Sequence, residues 1–344
     1  MTDELDETLA SLRVDFVAAT FADGGVLLHL PSGDFFHLDA IAAAVWSAIG
    51  KSADADGTIA NVAGALQVPA DEARDRLARV LAQADPLRGR GPATLPAFHD
   101  DERCLTFQEG SRTLMSLDKR SLTLTVADAL RERSDEDLAA VFRVFVPKIY
   151  GRWFPLAMHA SAMTAGERTI LFCGASGAGK TTTVRTFAQE VAGCRVISED
   201  VVVFREESGV LLIIEDAEAA IQAWMVDATA ALIERRESRV DVSALRRALD
   251  IAPGRIRAHR IIFLDAGRRH GPLWSLRRLT PALALGNLFL HSFFHSPDRD
   301  ALRAHLHFCR ALATQVDAVE ATAAPAGLDA LRRCCQVQME TIAS

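Results

Sequence analysis

Short apolar runs separated by turn residues open the chain, and a helical spacing of apolar residues follows them. Residues 14–38 hold three apolar runs divided by turns that contain Gly and Pro, which predicts two or three short strands. Asp39 is a candidate N-cap for a helix over 40–49, where apolar positions recur every three or four residues. Two further helices are predicted, one ending at Leu66 and one after Pro69. This order of strands and helices predicts a winged-helix-like module.

A second apolar pattern begins beyond a stretch rich in structure breakers. Residues 85–97 contain three prolines and two glycines, which predicts a linker. Short strands are predicted between 104 and 126, and a helix from 135 to about 154. An apolar strand over 169–173 then runs into a glycine-rich loop, and a helical segment over 182–190 follows it. Mixed strands and helices in this part predict an α/β (α+β) fold.

Composition adds a division of charge to this picture. The 344-residue chain is 49% hydrophobic and 24% charged, which is typical of a globular protein long enough for two domains. Residues 1–92 carry 14 acidic and 7 basic side chains, whereas residues 93–344 carry 31 of each. The whole net charge of −7 therefore lies in the first part, which argues for a separate module and against a general nucleic-acid binder. We expect two domains, 1–92 and 93–344.

The sequence also predicts the compartment of the protein. No stretch approaches the roughly 20 uncharged apolar residues that a membrane helix needs, and the acidic start MTDELDE lacks the positive charge of a signal peptide. The six cysteines form no CxxC pair and no metal-ligand spacing, so reduced thiols are expected. We therefore expect a cytoplasmic protein without membrane or nucleic-acid partners.

The glycine-rich loop carries the most specific motif of the chain. Residues 174–181 match G-x-x-x-x-G-K-[ST] at every fixed position, with an apolar strand before the loop and a helix after it. Glycines let backbone N–H groups turn toward phosphate oxygens, Lys180 reaches the β- and γ-phosphates, and the hydroxyl of Thr181 is a ligand for Mg²⁺. We therefore expect ATP and Mg²⁺ as cofactors. The candidate nucleotide-binding residues are Gly174, Ala175, Ser176, Gly177, Ala178, Gly179, Lys180, Thr181 and Thr182.

Two apolar strands end in acids that are candidates for the magnesium site. One ends at Glu199 and Asp200, about 20 residues after Lys180, and the other ends at Asp265, 85 residues after it. A single acid after an apolar strand suits a general ATPase. Two adjacent carboxylates suit a kinase, because one can hold Mg²⁺ while its neighbour accepts the proton of the attacking hydroxyl. Spacing alone favours neither position.

The residues before the glycine-rich loop add a resemblance that favours Glu199 and Asp200 over Asp265. The string HASA at 159–162, an apolar strand, the GKTT loop and then SED at 198–200 resemble the HPr kinase/phosphorylase family. That family shares its nucleotide core with phosphoenolpyruvate carboxykinases. The resemblance implies that Glu199 accepts the proton, that Asp200 ligates Mg²⁺, and that His159 lies beside the loop and the acids.

The resemblance covers roughly residues 100–335 and has two departures. The family usually has two aspartates where this chain has Glu199 and Asp200, and its E-x-R-G signature after the acid pair is not visible. Because that signature carries recognition of the HPr protein and the reverse phosphorolysis in the family, we do not expect this chain to act on HPr.

An arginine-rich stretch offers candidates for charge stabilisation. Residues 232–278 hold twelve arginines against five acids. Arginine stabilises the transferring phosphoryl group in many phosphoryl-transfer sites. Arg255, Arg257 and Arg260 precede a predicted strand and are candidates for this role, although a charged helical face is more often only solvated.

The first module has a resemblance of its own. Its FFHLDAIAAAVWSAI stretch at 35–49 and its helix order resemble PqqD-like proteins, the RiPP recognition elements that hold leader peptides of ribosomal natural products. In that family the peptide adds as a strand to the sheet edge, and the acidity of this module suits a peptide with basic residues. A winged-helix DNA reader needs the opposite charge, whereas a purely structural or dimerising winged helix stays open.

Together these features predict an ATP- and Mg²⁺-dependent kinase that phosphorylates a Ser or Thr hydroxyl of a peptide held by the first module. The resemblance implies that the peptide is a precursor of a ribosomal natural product. Two alternatives stay open. One is a P-loop ATPase or nucleotide switch that uses Asp265 and gates a protein interaction, and the other is a kinase of a small metabolite that does not need the module. Homo-oligomerisation is also left open.

Overall fold

The computed structural model of the chain describes residues 2–84, 98–235, 237–252, 254–271, 273–293 and 299–343, so the predicted linker at 85–97 lies outside the described residues. The helices are α1 (Thr2–Asp15), α2 (Ala40–Lys51), α3 (Ala55–Leu66), α4 (Ala70–Ala84), α5 (Asp128–Arg131), α6 (Asp135–Tyr150), α7 (Lys180–Glu190), α8 (Ala217–Ile233), α9 (Ser243–Ile251), α10 (Pro281–Leu290), α11 (Arg299–Gln315) and α12 (Leu328–Ala343). The strands are β1 (Phe16–Phe21), β2 (Gly24–His29), β3 (Phe35–Leu38), β4 (Phe98–Asp100), β5 (Cys104–Glu109), β6 (Arg112–Asp118), β7 (Thr123–Val126), β8 (Leu156–Ala165), β9 (Arg168–Gly174), β10 (Cys194–Ser198), β11 (Val201–Glu207), β12 (Val210–Ile214), β13 (Arg239–Asp241), β14 (Arg255–Arg257), β15 (Arg260–Gly271), β16 (Ser275–Arg278) and β17 (Asp317–Pro325). The predicted mixed α/β (α+β) class is confirmed.

The first compact unit contains the predicted strands and three helices. Strands β1, β2 and β3 form an antiparallel sheet in that order. Helices α2, α3 and α4 follow, and their apolar faces form one core with α1, a helix that the apolar pattern did not predict. Asp39 caps α2 by accepting the N–H of Ala42 at 2.7 Å, and Asp54 caps α3 by accepting the N–H of Gly57. The module thus folds as the sequence predicts, with one helix added.

Two segments from late in the chain pack with this first unit. Within the described part of the chain, residues 279–289 and 299–313 belong to it, which includes most of α10 and α11. The ring of Phe289 packs edge-on against that of Phe35, with centroids 5.0 Å apart. The division into the domains 1–92 and 93–344 stays a prediction.

The second unit is built on two sheets. In the described residues, five strands form an antiparallel sheet in the order β13-β7-β6-β5-β4, and nine form a larger sheet in the order β14-β12-β11-β8-β9-β15-β17-β16, with β10 paired to β8. Strands β9, β15 and β17 are parallel neighbours, so their carboxyl ends meet at one edge. Ligands of open α/β sheets bind at such an edge, and the glycine-rich loop begins there at the end of β9.

Strand β8 determines where the predicted acid pair lies. One edge of β8 pairs with β9, and its other edge pairs first with β11 and then with β10. The register places Ser198 opposite Ala162 and Val201 opposite His159. The turn formed by residues 199–200 therefore faces the middle of β8, beside the end of β9.

Helix α6 ends earlier than the sequence pattern predicts. It stops at Tyr150 instead of near Phe154, and Gly151, a poor helix former, follows at the C-cap. The buried face of α6 belongs to the core that joins the five-stranded sheet to α8 and α9. None of the helices in the described ranges combines the length and the apolar character that crossing a membrane requires.

Candidate active site

The glycine-rich loop leads from the carboxyl end of β9 into α7. A Cβ on Gly174 would lie 2.4 Å from the carbonyl oxygen of Leu264 on the neighbouring strand β15, so only glycine fits there. Gly179 caps α7 with a φ of 91°, a left-handed conformation that favours glycine. Helix α7 begins at Lys180, two residues earlier than the predicted start at Thr182. A helix amino end that follows a loop of backbone N–H groups is a ready site for phosphate.

The other predicted loop residues divide by exposure. Ala175, Ser176 and Gly177 are exposed, whereas Ala178 is buried beneath the loop. Thr182 is exposed in the first turn of α7, where its carbonyl oxygen accepts the hydroxyl of Thr186. The exposed part of the loop is therefore the part whose backbone faces solvent and incoming ligand.

Lys180 is a nearly buried cation in the first turn of α7. It is 5% exposed, and its Nζ donates to the carbonyl oxygens of Gly174 at 2.9 Å and of Ala175 at 3.1 Å. Burial lowers the pKa of Lys180, and the charge of Asp200 opposes that shift. The lysine is thus fixed against the loop and lies within electrostatic reach of one acid of the predicted pair.

Thr181 ties α7 to the acid turn. Its hydroxyl donates to the backbone carbonyl of Glu199 at 2.9 Å, and the hydroxyl of Ser161 on β8 donates to the same carbonyl. The backbone N–H of Ala160 donates to the carbonyl of Asp200 at 3.2 Å. The predicted metal ligands Thr181 and Asp200 are therefore held in one hydrogen-bonded cluster of α7, β8 and the turn.

Asp200 pairs with His159. The Nε2 of His159 lies 2.9 Å from Oδ1 of Asp200, and the two side chains are 31% and 59% exposed. The hydrogen bond from His159 lowers the pKa of Asp200, and the charges of His159 and Lys180 add to this effect, against a smaller increase from burial. The structure thus brings together the histidine, the lysine and the second acid of the pair.

Glu199 is directed elsewhere than its neighbour. Its carboxylate forms an ion pair with Arg185 of α7, with Nε of the arginine 2.7 Å from Oε1. Arg185 lies one helical turn beyond Thr181, so the carboxylate of Glu199 is turned along α7. The role of Glu199 as proton acceptor stays a prediction. Its partner Arg185 lies outside the arginine-rich stretch at 232–278 from which the sequence analysis took its candidates.

Glu218 is a third carboxylate at the site that sequence reasoning missed. It lies in the first turn of α8, and it accepts the backbone N–H of Glu199. Burial raises the pKa of Glu218, and the nearby charges of Asp200 and Glu199 raise it further, although the hydrogen bond from Glu199 opposes them. Its local sequence resembles an ordinary acidic helix start, so only the packing of α8 reveals this residue as the support of the acid turn.

The segment that follows α10 contacts the start of β8 and was also missed. The backbone N–H of His159 donates to the carbonyl of His291 at 3.1 Å, and the N–H of Phe293 donates to the carbonyl of Ala157 at 2.8 Å. The ring of Phe293 lies 5.9 Å from that of His159. Burial lowers the pKa of His291, and the charges of Lys180 and His159 lower it further. No sequence motif signals this contact, because the two segments are more than 130 residues apart in the sequence.

The arginines proposed from the sequence lie away from the loop. Arg260 begins β15, four residues before Leu264, the partner of Gly174, so it lies roughly 13 Å along the strand from the loop. It forms an ion pair with Asp317. Arg255 and Arg257 lie on the edge strand β14, where Arg255 pairs with Glu207. The side chain of the alternative acid Asp265 lies outside the described side chains.

The donor set at the turn fits a magnesium ion that keeps most of its shell for water and phosphate. Thr181 supplies a hydroxyl and Asp200 a carboxylate, the oxygen ligands that Mg²⁺ prefers, and Mg²⁺ in nucleotide sites binds through one or two protein groups. Among the residues that the structure describes, no three or more His, Cys, Asp or Glu side chains are placed to hold a metal by themselves.

Comparisons with known proteins add information mainly on the first unit. None of the curated proteins matches this chain. The solved structure of the HPr(Ser) kinase/phosphatase from Coxiella burnetii matches 54% of this chain and 98% of its own length at 12% identity, but a TM-score of 0.21 does not establish a shared fold. Residues 24–85 match the family model of coenzyme PQQ synthesis protein D (PqqD). This segment is therefore a PqqD domain, the RiPP recognition element that the sequence pattern predicts.

Proposed function

We propose that the protein is an ATP- and Mg²⁺-dependent kinase that phosphorylates a Ser or Thr hydroxyl of a peptide held by the PqqD domain. The observation that carries the proposal is the cluster at the end of β9. There the loop lysine, the Thr181 hydroxyl and the Asp200–His159 pair meet within one hydrogen-bonded turn.

The phosphate groups have a defined place in this proposal. The exposed backbone of the loop and the amino end of α7 bind phosphate oxygens, and Lys180 contributes its positive charge to the β- and γ-phosphates. Because phosphoryl transfer passes through a loose transition state, positioning and charge stabilisation supply most of the rate enhancement. The fixed position of Lys180 between Gly174 and Ala175 suits that task.

Magnesium ligation falls to Thr181 and Asp200, and the ion would neutralise charge that develops between the β- and γ-phosphates. His159 orients the carboxylate of Asp200 through its Nε2 hydrogen bond. Glu199 keeps the predicted role of proton acceptor for the attacking hydroxyl, and Arg185 determines the direction of its carboxylate. Glu218 supports the turn by accepting the N–H of Glu199.

The PqqD domain supports a peptide as the acceptor. Strand β3 is an edge strand that pairs only with β2 among the described residues, so its other side can accept an added strand. Residues 1–92 also carry the entire net charge of −7, which favours a peptide with basic residues.

The experiment is transfer of label from [γ-³²P]ATP to a precursor peptide encoded beside this chain. The proposal predicts labelled peptide with the wild-type protein and labelling that is about 10²- to 10³-fold slower with Asp200→Asn. An ATPase switch predicts ATP turnover without labelled peptide, with Asp265→Asn inactive and Asp200→Asn active. A metabolite kinase predicts that a variant whose PqqD domain no longer binds peptide keeps its full activity on the small acceptor.

A further inference from the structure

A small cavity lies directly beside the glycine-rich loop, on the side away from the acid turn. Its volume is about 180 Å³. One wall is the first turn of α7, from Gly179 to Thr183, and the opposite wall is the end of β17 with the start of α12. The proposed phosphate site and this cavity therefore share the amino end of α7.

The walls of the cavity are mostly apolar and are held in place. Trp274 is 5% exposed, and Gln338 of α12 fixes its backbone by accepting the N–H at 2.7 Å and donating to the carbonyl at 3.2 Å. Pro325, Leu328 and Leu331 complete the far wall. The far wall is partly open to solvent, because Leu328 is 47% exposed, and Thr183 adds a buried hydroxyl-bearing side chain to the lining.

We propose that this cavity takes the purine base of the bound nucleotide, an assignment that rests on the proposed nucleotide site. A nucleotide whose phosphates lie on the loop must direct its nucleoside past one side of α7. The acid turn and β8 occupy one side through Thr181 and Glu199. Among the described residues, the cavity beside Thr182 offers space for an apolar, planar group, and its position next to the phosphate loop favours the base as its occupant.

The expected binding contribution follows from stacking. A base packed against apolar and aromatic side chains gains about 5- to 150-fold in affinity. None of the described residues that line the cavity is charged, so recognition by shape and stacking predominates over hydrogen-bonded readout of the base. The triphosphate chain would then supply the remainder of the affinity through the loop.

The experiment compares ADP with pyrophosphate, because pyrophosphate occupies the phosphate site without a base. Leu328→Trp places a larger side chain in the cavity, and Val337→Trp makes the same kind of change at an exposed position of the same helix. We expect Leu328→Trp to weaken ADP binding by roughly 5- to 150-fold and to leave pyrophosphate binding within about twofold of wild type. Val337→Trp should leave both unchanged.

Three results would overturn a part of this account. If Leu328→Trp binds ADP as the wild type does, or if it weakens ADP and pyrophosphate equally, the cavity does not hold the base. If the wild type binds neither ADP nor pyrophosphate, the proposed nucleotide site fails and the base assignment fails with it.

Photolabelling of the wild-type protein with 8-azido-ADP tests the same proposal without any substitution. Label on Trp274 or within 324–331 supports the proposal. Label confined to other segments overturns it, even if ADP binds tightly.

Discussion

The two compact units carry their functional information in different ways. In the second unit, the groups proposed to react come from three short segments, because β8, the loop after β9 and the turn after β10 are neighbours in one sheet. In the first unit, residues 5–84 supply the apolar core of the strands and helices α1 to α4, and α10 and α11 from late in the chain belong to the same unit. The groups proposed to react thus lie on segments close together in sequence, whereas the unit proposed to bind the peptide also includes segments from late in the chain.

The largest expected effect separates the two units most clearly. Lys180→Ala removes the buried cation at the loop, and we expect phosphoryl transfer to fall by about 10³-fold. Peptide affinity should stay unchanged, because the substitution lies outside the PqqD domain. Label transfer and peptide titration measure the two quantities. Lys51→Ala, at an exposed position of α2, is the control and should keep both. If Lys180→Ala also lost peptide binding, transfer and peptide binding would not be assigned to separate units.

The next comparison lies within the catalytic cluster. Asp200→Asn should lower kcat by about 10²- to 10³-fold, because it removes a metal ligand that also pairs with His159. Glu199→Gln should lower kcat by about 10²-fold at most, because the carboxylate is turned toward Arg185. Steady-state kinetics with peptide and ATP provide the measurement. A larger fall in kcat for Glu199→Gln than for Asp200→Asn would contradict this prediction.

A core substitution in α10 tests whether the first unit needs its late segments. Leu285 is 0% exposed, so Leu285→Ala should lower the free energy of unfolding by about 2–5 kcal/mol and weaken peptide binding. Pyrophosphate binding at the loop should persist. Leu283→Ala, at a 42% exposed position of the same helix, should change stability by less than about 0.5 kcal/mol. Equal destabilisation by both variants would show that α10 does not belong to the core of the unit.

The smallest expected effect concerns pH. The hydrogen bond from His159 lowers the pKa of Asp200. The carboxylate of Asp200 therefore stays ionised at lower pH than an ordinary aspartate. In His159→Ala this support is lost, the pKa of Asp200 rises, and the acid limb of the kcat/KM profile moves to higher pH. His159→Gln keeps a hydrogen-bond donor and should shift the limb less. An unchanged acid limb in His159→Ala would mean that another group limits activity at low pH.

The sequence allowed prediction of the parts that depend on local chemistry. The loop motif and the Asp39 cap follow from short patterns, because turns and caps have strong local preferences. The position of His159 beside the acids was implied only by the family resemblance, and the structure places His159 2.9 Å from Asp200. Glu218 and His291 were missed because each reaches the site only through the packing of a distant helix or segment. Helix α1 was missed although Leu5, Leu9 and Leu12 recur at helical spacing, because most of its other residues are polar.

The most direct test of the central claim compares an intact precursor peptide with the same peptide lacking its leader. The acceptor hydroxyl is present in both, and only the intact peptide offers a strand to the edge of β3. The account predicts phosphorylation of both, with kcat/KM at least about 10²-fold higher for the intact peptide, because binding to the PqqD domain makes the transfer step effectively intramolecular. Equal values for the two peptides, or ATP turnover that labels neither, would contradict it.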